Sequence, residues 1–111
     1  MVSFTFVGGK RTLKPENILY VQTDGHRNVF IVLEGKEKTE LNLYMELDEI
    51  EGILKPYGFV RSHRSLLVNM RYVKSVSNYL MELTTGEVLT IPRSRYVMVK
   101  EAFKAMQRCK G

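Results

Sequence analysis

Three short segments of the sequence place arginine beside small hydroxyl, amide or imidazole side chains. They are GHRN (25–28), SHRS (62–65) and PRSR (92–95). The arginine guanidinium donates parallel hydrogen bonds in a fixed fork, which suits phosphate oxygens and the edges of guanine. A single basic residue is most often a solvated surface charge, but here the same chemistry occurs at three separate places. This repetition favours a site that binds an anionic ligand such as a nucleic acid.

Ser62, His63 and Ser65 place hydroxyl groups next to an imidazole, a combination that also occurs in nucleophilic catalysis. Adjacent residues of a strand point to opposite faces, so neighbours in sequence do not by themselves form a triad. The sequence contains no nucleophile elbow, phosphate-binding glycine loop or His-Glu-x-x-His segment. Two histidines and the single Cys109 are too few for the common metal sites. We therefore predict no catalytic site, no metal and no cofactor.

The charged residues are unevenly distributed along the chain. There are 17 Lys and Arg against 12 Asp and Glu, a net charge of +5. Seven of the acids lie in residues 34–51, whereas residues 52–81 and 88–100 contain bases and no acid. This distribution predicts an acidic flank and a positive face, which favours a polyanionic partner. No apolar run is long enough for a membrane span or a secretory signal, so we expect no membrane contact and a cytoplasmic location.

Most of the chain has the pattern of short β-strands separated by glycine-containing turns. Two segments have helical spacing instead. In the first, Asn42 is the predicted N-cap and the apolar positions are Leu43, Leu47, Ile50 and Leu54. In the second, Ser94 is the predicted N-cap after Pro92 and the apolar positions are Val99, Ala102, Phe103 and Met106. The predicted order is five strands, a helix, five strands and a final helix.

This order predicts a mostly β fold, an elongated antiparallel β-sandwich with one or two short peripheral helices. The chain has the length of one domain and contains no linker or repeat. We therefore treat residues 1–111 as a single domain.

Four segments together resemble the LytTR-type DNA-binding domain, the output domain of LytR/AlgR-family bacterial response regulators. They are ENILYVQ (16–22), the helix with apolar spacing L(x)3L(x)2I, GFVRSHRSLLVNMRYVKSV (58–76) and TGEVLTIPRSRY (85–96). The resemblance extends from about Lys10 to Ala105. It implies a sandwich that inserts loops, rather than a recognition helix, into two successive major grooves and touches the minor groove between them. It also implies promoter repeats as the target, a dimer on DNA, and a receiver domain in a longer parent chain.

The resemblance also implies which residues contact DNA. The first contact loop corresponds to His26, Arg27 and Asn28, the second to His63 and Arg64 with Arg61 just before it, and the third to Arg93, Ser94 and Arg95. Asn69 corresponds to the asparagine that follows the apolar triplet in the family. We interpret Asn69 as structural, because asparagine side chains commonly hold the backbone of a turn.

The leading hypothesis is a sequence-specific duplex-DNA-binding transcriptional regulator, either standing alone or as the output domain of a two-component response regulator. One alternative is a protein-interaction module with no nucleic-acid role, which would dock through its acidic helix face or the apolar helix end while its basic clusters are only solvated. A second alternative is RNA binding, which would require aromatic side chains exposed on a sheet face. Tyr20 and Phe30 are the candidates, although their strand positions favour the core.

Overall fold

The computed structural model describes residues 1–110 of the chain and the side chains of residues 1–108, so the Cys109 thiol lies outside the described residues. The first five strands are β1 (Val2–Phe6), β2 (Gly9–Leu13), β3 (Ile18–Asp24), β4 (Arg27–Glu34) and β5 (Glu37–Leu43). The other strands are β6 (Phe59–His63), β7 (Leu66–Asn69), β8 (Val73–Ser77), β9 (Leu80–Leu83) and β10 (Val88–Thr90). The helices are α1 (Leu47–Leu54) and α2 (Arg93–Lys110), and short 3-10 turns lie at Pro15–Asn17, Lys55–Tyr57 and Met70–Tyr72. The predicted order of strands and helices is confirmed.

A five-stranded antiparallel sheet in the order β5-β4-β3-β7-β6 forms the centre of the molecule. The β1-β2 hairpin and α1 cover one face, where the rings of Phe4 and Phe6 pack edge-on against Phe30 at centroid distances of 4.9 and 5.1 Å. The β8-β9-β10 sheet and α2 cover the other face, around Val68 and Met81. The molecule measures 39 × 28 × 24 Å. The predicted mostly β, elongated sandwich is confirmed, with a central sheet that is covered on both faces.

Coverage of both faces explains the unbroken apolar run of β4. Residues 28–32 are all buried, with Phe30 and Val32 in one core and Val29 and Ile31 in the other. A strand with one solvated face would alternate apolar and polar residues, whereas a strand between two cores does not. The central sheet is therefore a rigid support for the turns at its ends.

Helix α1 begins four residues later than the sequence predicted. Asn42 and Leu43 belong to β5, where they pair with Val29 and Asn28, so Asn42 is not the N-cap. Glu46 precedes the helix in an extended conformation, and its carbonyl accepts from the backbone amides of Glu49 and Ile50. The prediction failed because Leu43 is buried by its strand, and its spacing of four from Leu47 only imitates a helical repeat.

The start predicted for α2 is also wrong. The helix begins at Arg93, and the Arg95 amide donates to the carbonyl of Pro92 at 2.9 Å, so Ser94 is the second helical residue and not the N-cap. The fixed φ angle of Pro92 already suits the entrance of a helix. Neither helix of the described chain combines the length and apolar character needed to cross a bilayer.

The structural interpretation of Asn69 is confirmed. Its side chain is buried, its Oδ1 accepts from the Arg71 amide at 3.1 Å, and its Nδ2 donates to the carbonyls of Ile18 and Pro15 at 2.9 and 3.3 Å. Asn69 thus joins the turn after β7 to the turn before β3. It lies at the end of the sheet opposite to the β3-β4 turn.

Candidate nucleic-acid interface

The turns that carry the first two basic clusters meet at one end of the central sheet. Asp24 pairs with Arg27 around the β3-β4 turn, and His63 pairs with Leu66 around the β6-β7 turn. These turns are neighbours because β3 pairs with β7, and the Thr23 amide donates to the carbonyl of Ser65 at 2.9 Å. Neighbouring strands lie about 4.8 Å apart, so the two turns are separated by roughly 10 Å across the sheet.

In the first cluster, His26 and Arg27 are exposed while Asn28 is buried. The turn itself contains only Gly25 and His26, because Arg27 and Asn28 already belong to β4. The Asn28 Nδ2 donates to the carbonyl of Met45 at 2.6 Å, and its Oδ1 accepts from the Thr23 hydroxyl at 2.6 Å. Asn28 therefore holds the segment after β5 against the hairpin, and its amide faces the protein.

In the second cluster, too, some side chains are exposed and others are held by the protein. Arg64 is exposed, and His63 is partly exposed with its Nδ1 2.8 Å from the Ser65 hydroxyl. Arg61 is held inside the protein, where its Nη1 lies 2.8 and 2.9 Å from carboxylate oxygens of Asp48 and Glu51. The Ser62 side chain is fully buried, and Ser62 lies where the register between β6 and β7 shifts by one residue.

The third cluster is the first turn of α2 and not a loop. Arg93 and Ser94 are exposed, and the Nη1 of Arg95 donates to the main-chain carbonyl of Arg61 at 3.1 Å. This bond places the N-terminus of α2 beside β6, and the helix then runs back toward Gly58. The partial positive charge of the helix N-terminus therefore faces the same end of the molecule as the two turns.

Two tyrosines at this end were not predicted from the sequence. Tyr44 is 72% exposed beside an open cleft of about 330 Å³, whose lining includes His26, Arg27 and Arg64. Tyr79 has a positive φ of 62°, its ring centroid is 4.4 Å from that of Tyr96, and the Arg93 guanidinium carbon lies 5.7 Å from its centroid. Asn78 before Tyr79, with strand patterns on both sides, was the sequence signal for such a turn.

The predicted separation of an acidic flank from a positive face is wrong where helix α1 meets β6. Arg61 comes from the acid-free segment 52–81, yet its guanidinium pairs with Asp48 and Glu51 of the acidic segment. Helix α1 packs directly against β6, so segments of opposite charge in the sequence become partners in space. The exposed arginines at this end are Arg27, Arg64 and Arg93, of which Arg27 lies 3.8 Å from a carboxylate oxygen of the exposed Asp24.

A polar cluster joins the central sheet to the turn between β9 and β10. The Tyr20 hydroxyl donates to a carboxylate oxygen of Glu87 at 2.9 Å, and the ammonium of Lys38 contacts the other oxygen. Burial, together with this bond, raises the pKa of Tyr20 to about 12. Partial burial raises the pKa of Glu87, but the hydrogen bonds from Lys38 and Tyr20 outweigh it and lower the pKa overall.

Both aromatic candidates for RNA stacking belong to the core. Phe30 is fully buried and Tyr20 is nearly so, with its hydroxyl bound to Glu87. Bases stack on aromatic rings that a sheet presents to solvent, and these two rings are not available. The prediction that they are core residues is confirmed.

Comparison with known proteins identifies the family and the fold of the chain. The sequence matches the LytTr DNA-binding domain family over residues 9–104. The transcriptional regulatory protein NatR of Bacillus subtilis (strain 168) is 34% identical over 67 residues, which are 60% of this chain and 27% of NatR. The chain therefore spans about a quarter of the length of that relative. A LytTr DNA-binding domain from Bacillus cereus has the same fold, with a TM-score of 0.74 over 91% of this chain and 94% of that domain at 19% identity.

The class of protein is therefore a DNA-binding domain, and its antiparallel sandwich is the fold of the solved LytTr domain. The chain belongs to the LytTr DNA-binding domain family, as its match over residues 9–104 establishes. Its role is therefore that of a DNA-binding domain of the kind found in transcriptional regulators.

Proposed function

We propose that the chain recognises a specific duplex DNA sequence with the end of the central sheet that carries the three basic clusters. The observation that supports this most directly is their convergence. Three segments that are far apart in the sequence meet at one end, and each exposes at least one strong hydrogen-bond donor. Donors on a rigid scaffold can fit the base edges and phosphates of DNA without a large ordering cost.

The proposed contacts are made by the exposed members of the clusters. His26, Arg27 and Arg64 border the cleft near Tyr44, and Arg93 with Ser94 lies at the N-terminus of α2. His63 is partly exposed and completes the second cluster. We propose that Arg27, Arg93 and His26 approach base edges in the major groove, where an arginine can bind guanine with two hydrogen bonds, and that Arg64 contacts a phosphate.

Three other predicted contact residues support the interface from within. Asn28 and Arg61 have their polar atoms occupied by protein partners, and the Arg95 guanidinium binds a main-chain carbonyl. We propose that they act on DNA affinity by holding their exposed neighbours. The molecule is 39 Å long, but the first two clusters lie only about 10 Å apart at one end of the sheet, so those two turns do not by themselves span the roughly 34 Å between successive major grooves.

We further propose that the domain serves as the DNA-binding part of a longer transcriptional regulator. NatR is named as a transcriptional regulatory protein and is almost four times as long as the segment that matches this chain. A receiver domain in the parent chain, and a dimer that binds promoter repeats, would fit such an output domain. In this proposal the domain has no enzymatic activity of its own, and it works in the bacterial cytoplasm, where its DNA target lies.

The experiment that tests the proposal is selection from a randomised duplex library, followed by titration. We expect one enriched duplex to bind far more tightly than a scrambled duplex, and we expect single-stranded RNA to compete poorly. The logarithm of affinity should fall linearly with the logarithm of salt concentration, with a slope of about −0.9 per phosphate contacted. A library without an enriched sequence, or a slope near zero, would contradict the proposal.

The protein-interaction alternative has one feature in its favour, an apolar groove between β6 and α2 that is lined by Phe59, Val60 and Met106. This groove lies along α2 away from its N-terminus, so it does not compete with the basic end. It is compatible with DNA binding and does not replace it.

A further inference from the structure

The Arg61 guanidinium is the most extensively bonded cation in the described chain. Its Nη1 donates to Asp48 Oδ1 at 2.8 Å and to Glu51 Oε1 at 2.9 Å. Its Nε donates to the carbonyl of His63 at 3.1 Å and to that of Arg64 at 3.2 Å, and its Nη2 also contacts the Arg64 carbonyl. The side chain is only 13% exposed. Arg61 thus links helix α1 to the turn that carries the second basic cluster.

This geometry leaves the guanidinium with little capacity for a DNA phosphate. All three of its nitrogens already have partners within the protein. If Arg61 turned outward, it would leave the turn carbonyls of His63 and Arg64 without this donor and the two α1 carboxylates without their cation. The Arg61 side chain is 13% exposed and that of Glu51 32%, so breaking this partly buried pair costs more than breaking a surface pair, and the inward arrangement is favoured.

We propose that Arg61, held in place by Glu51 and Asp48, is a positioning residue that presets the 63–65 turn for DNA binding. The proposal rests on the proposed DNA-binding function. Arg64 and His63 are the groups that meet DNA, while Arg61 acts through the carbonyls of the same two residues. Two acidic residues of α1 thereby strengthen the binding of a polyanion, because they hold the cation that shapes the turn.

Whether removal of a carboxylate strengthens or weakens DNA binding distinguishes the positioning role from a purely electrostatic effect. Replacing a carboxylate near DNA with an amide removes repulsion, so Coulomb's law alone predicts tighter binding. Loss of the carboxylate that holds Arg61 predicts weaker DNA binding instead, because the 63–65 turn must then become ordered when DNA binds. Glu51 is the better carboxylate to test because it is 32% exposed, whereas Asp48 is 87% exposed.

The decisive comparison is Glu51→Gln with Glu49→Gln, titrated on the enriched duplex. Both variants remove one negative charge from α1, but the Glu49 side chain is exposed and Arg61 pairs with Glu51. We expect Glu51→Gln to weaken binding by about fivefold, because glutamine can still accept a hydrogen bond from Arg61 but lacks the charge that makes this bond roughly twice as strong as a neutral one. Glu49→Gln should change affinity by less than about twofold. Glu51→Gln binding as tightly as the unmodified protein, or more tightly, would overturn the positioning role.

A substitution at Arg61 itself separates positioning from a direct phosphate contact. Lysine keeps the positive charge but cannot reproduce the planar fork that reaches two carboxylates and two carbonyls. Arg61→Lys should therefore weaken binding about as much as Glu51→Gln, whereas Arg64→Lys should retain most of the affinity if Arg64 contacts phosphate. Full affinity in Arg61→Lys would overturn the proposal.

Measurements on the protein without DNA test the positioning role of Arg61 separately from the proposed DNA-binding function. The chain has only two histidines, so the NMR signals of the His63 ring can be assigned with a His26→Gln variant. We expect these signals to shift in Glu51→Gln and not in Glu49→Gln, with thermal melts confirming that both proteins fold. Unchanged His63 signals would overturn the preset turn, whereas failure to enrich any duplex would contradict DNA binding instead. If Glu51→Gln does not fold, Asp48→Asn removes the more exposed carboxylate and should weaken binding in the same direction.

Discussion

The Nη1 of Arg95 donates a 3.1 Å hydrogen bond to the main-chain carbonyl of Arg61, and this bond joins the second and third basic clusters. Arg95 is held by the protein, while Arg93, two residues earlier, is exposed. Arg61 at the end of β6 is likewise held by the protein, while Arg64 in the β6-β7 turn is exposed. Each cluster thus contains a residue that is anchored in the protein and a neighbour that can reach a ligand.

We expect Arg93→Ala to weaken binding to the enriched duplex by about 1 to 3 kcal/mol and to change binding to a scrambled duplex little. The guanidinium lies above the Tyr79 ring at the start of α2, so its direction is largely set before DNA binds. Paired titrations on the two duplexes measure the difference. Equal losses on both would make Arg93 a phosphate contact, and no loss on either would remove it from the interface.

His26→Ala should give the same pattern at the first cluster, a loss of about 1 to 3 kcal/mol that is confined to the enriched duplex. His26 lies at the tip of the β3-β4 turn and its side chain is exposed, so alanine should leave the fold intact. Thermal melts verify this. A drop in melting temperature together with weaker binding to both duplexes would instead indicate that His26 supports the turn.

The salt dependence of binding tests Arg64 as a phosphate contact. We expect Arg64→Ala to reduce the slope of log affinity against log salt by about 0.9, the value for one phosphate. Arg71→Ala is the matched control, since Arg71 is equally an exposed arginine but follows Asn69 at the opposite end of the sheet. Equal changes in slope for the two variants would mean that charge acts over the whole molecule and not at this end.

Much of the fold could be predicted because local patterns agreed with it. The glycine-containing turns and β-branched runs gave the correct order of ten strands and two helices. The start of α1 was missed because burial of Leu43 in a strand looks the same in sequence as burial in a helix. The start of α2 was missed because Pro92 already sets the backbone of the helix entrance, and Ser94 is not needed as a cap.

The candidate site was only partly predictable, since sequence indicates residue types but not their partners. Arg61 and Arg64 carry the same charge, yet the first pairs with α1 carboxylates and the second faces solvent. That difference depends on the packing of α1 against β6, which composition does not reveal. Tyr44 was missed because the sequence prediction placed it inside the first helix, whereas the structure places it in the segment between β5 and α1.

Asn28→Ala should lower the free energy of unfolding by about 1 to 3 kcal/mol, because it leaves the Met45 carbonyl and the Thr23 hydroxyl without a partner. Binding to enriched and scrambled duplexes should weaken together, if at all, since the Asn28 amide faces the protein. Urea titration and the two binding titrations provide the measurements. Loss of discrimination between the duplexes in a fully stable variant would show that Asn28 contacts bases.

The burial of Tyr20 and the hydrogen bonds that Glu87 accepts from Lys38 and Tyr20 should make stability depend on pH at both extremes. The ordinary pKa of Tyr20, 10.0, rises to about 12 on folding, so the folded state keeps this proton longer and stability falls as pH rises between these values. The lowered pKa of Glu87 means that its contribution is present above its ordinary value of 4.5 and is lost as pH falls further. Tyr20→Phe should reduce the alkaline loss and Glu87→Gln the acidic one, as measured by denaturant titrations across pH. If both variants kept the pH dependence of stability of the unmodified protein, Tyr20 and Glu87 would not be its source.

Truncating the buried face of α1 should destabilise the fold far more than truncating its exposed face. Leu47 is buried in the core beneath the central sheet, so Leu47→Ala should lower the free energy of unfolding by about 2 to 5 kcal/mol. Ile53 lies in the same helix with a partly solvated side chain, and Ile53→Ala should cost less than about 1.5 kcal/mol. Urea unfolding of the two variants measures the difference directly. Similar losses at both positions would mean that the outer face of α1 is also covered in solution.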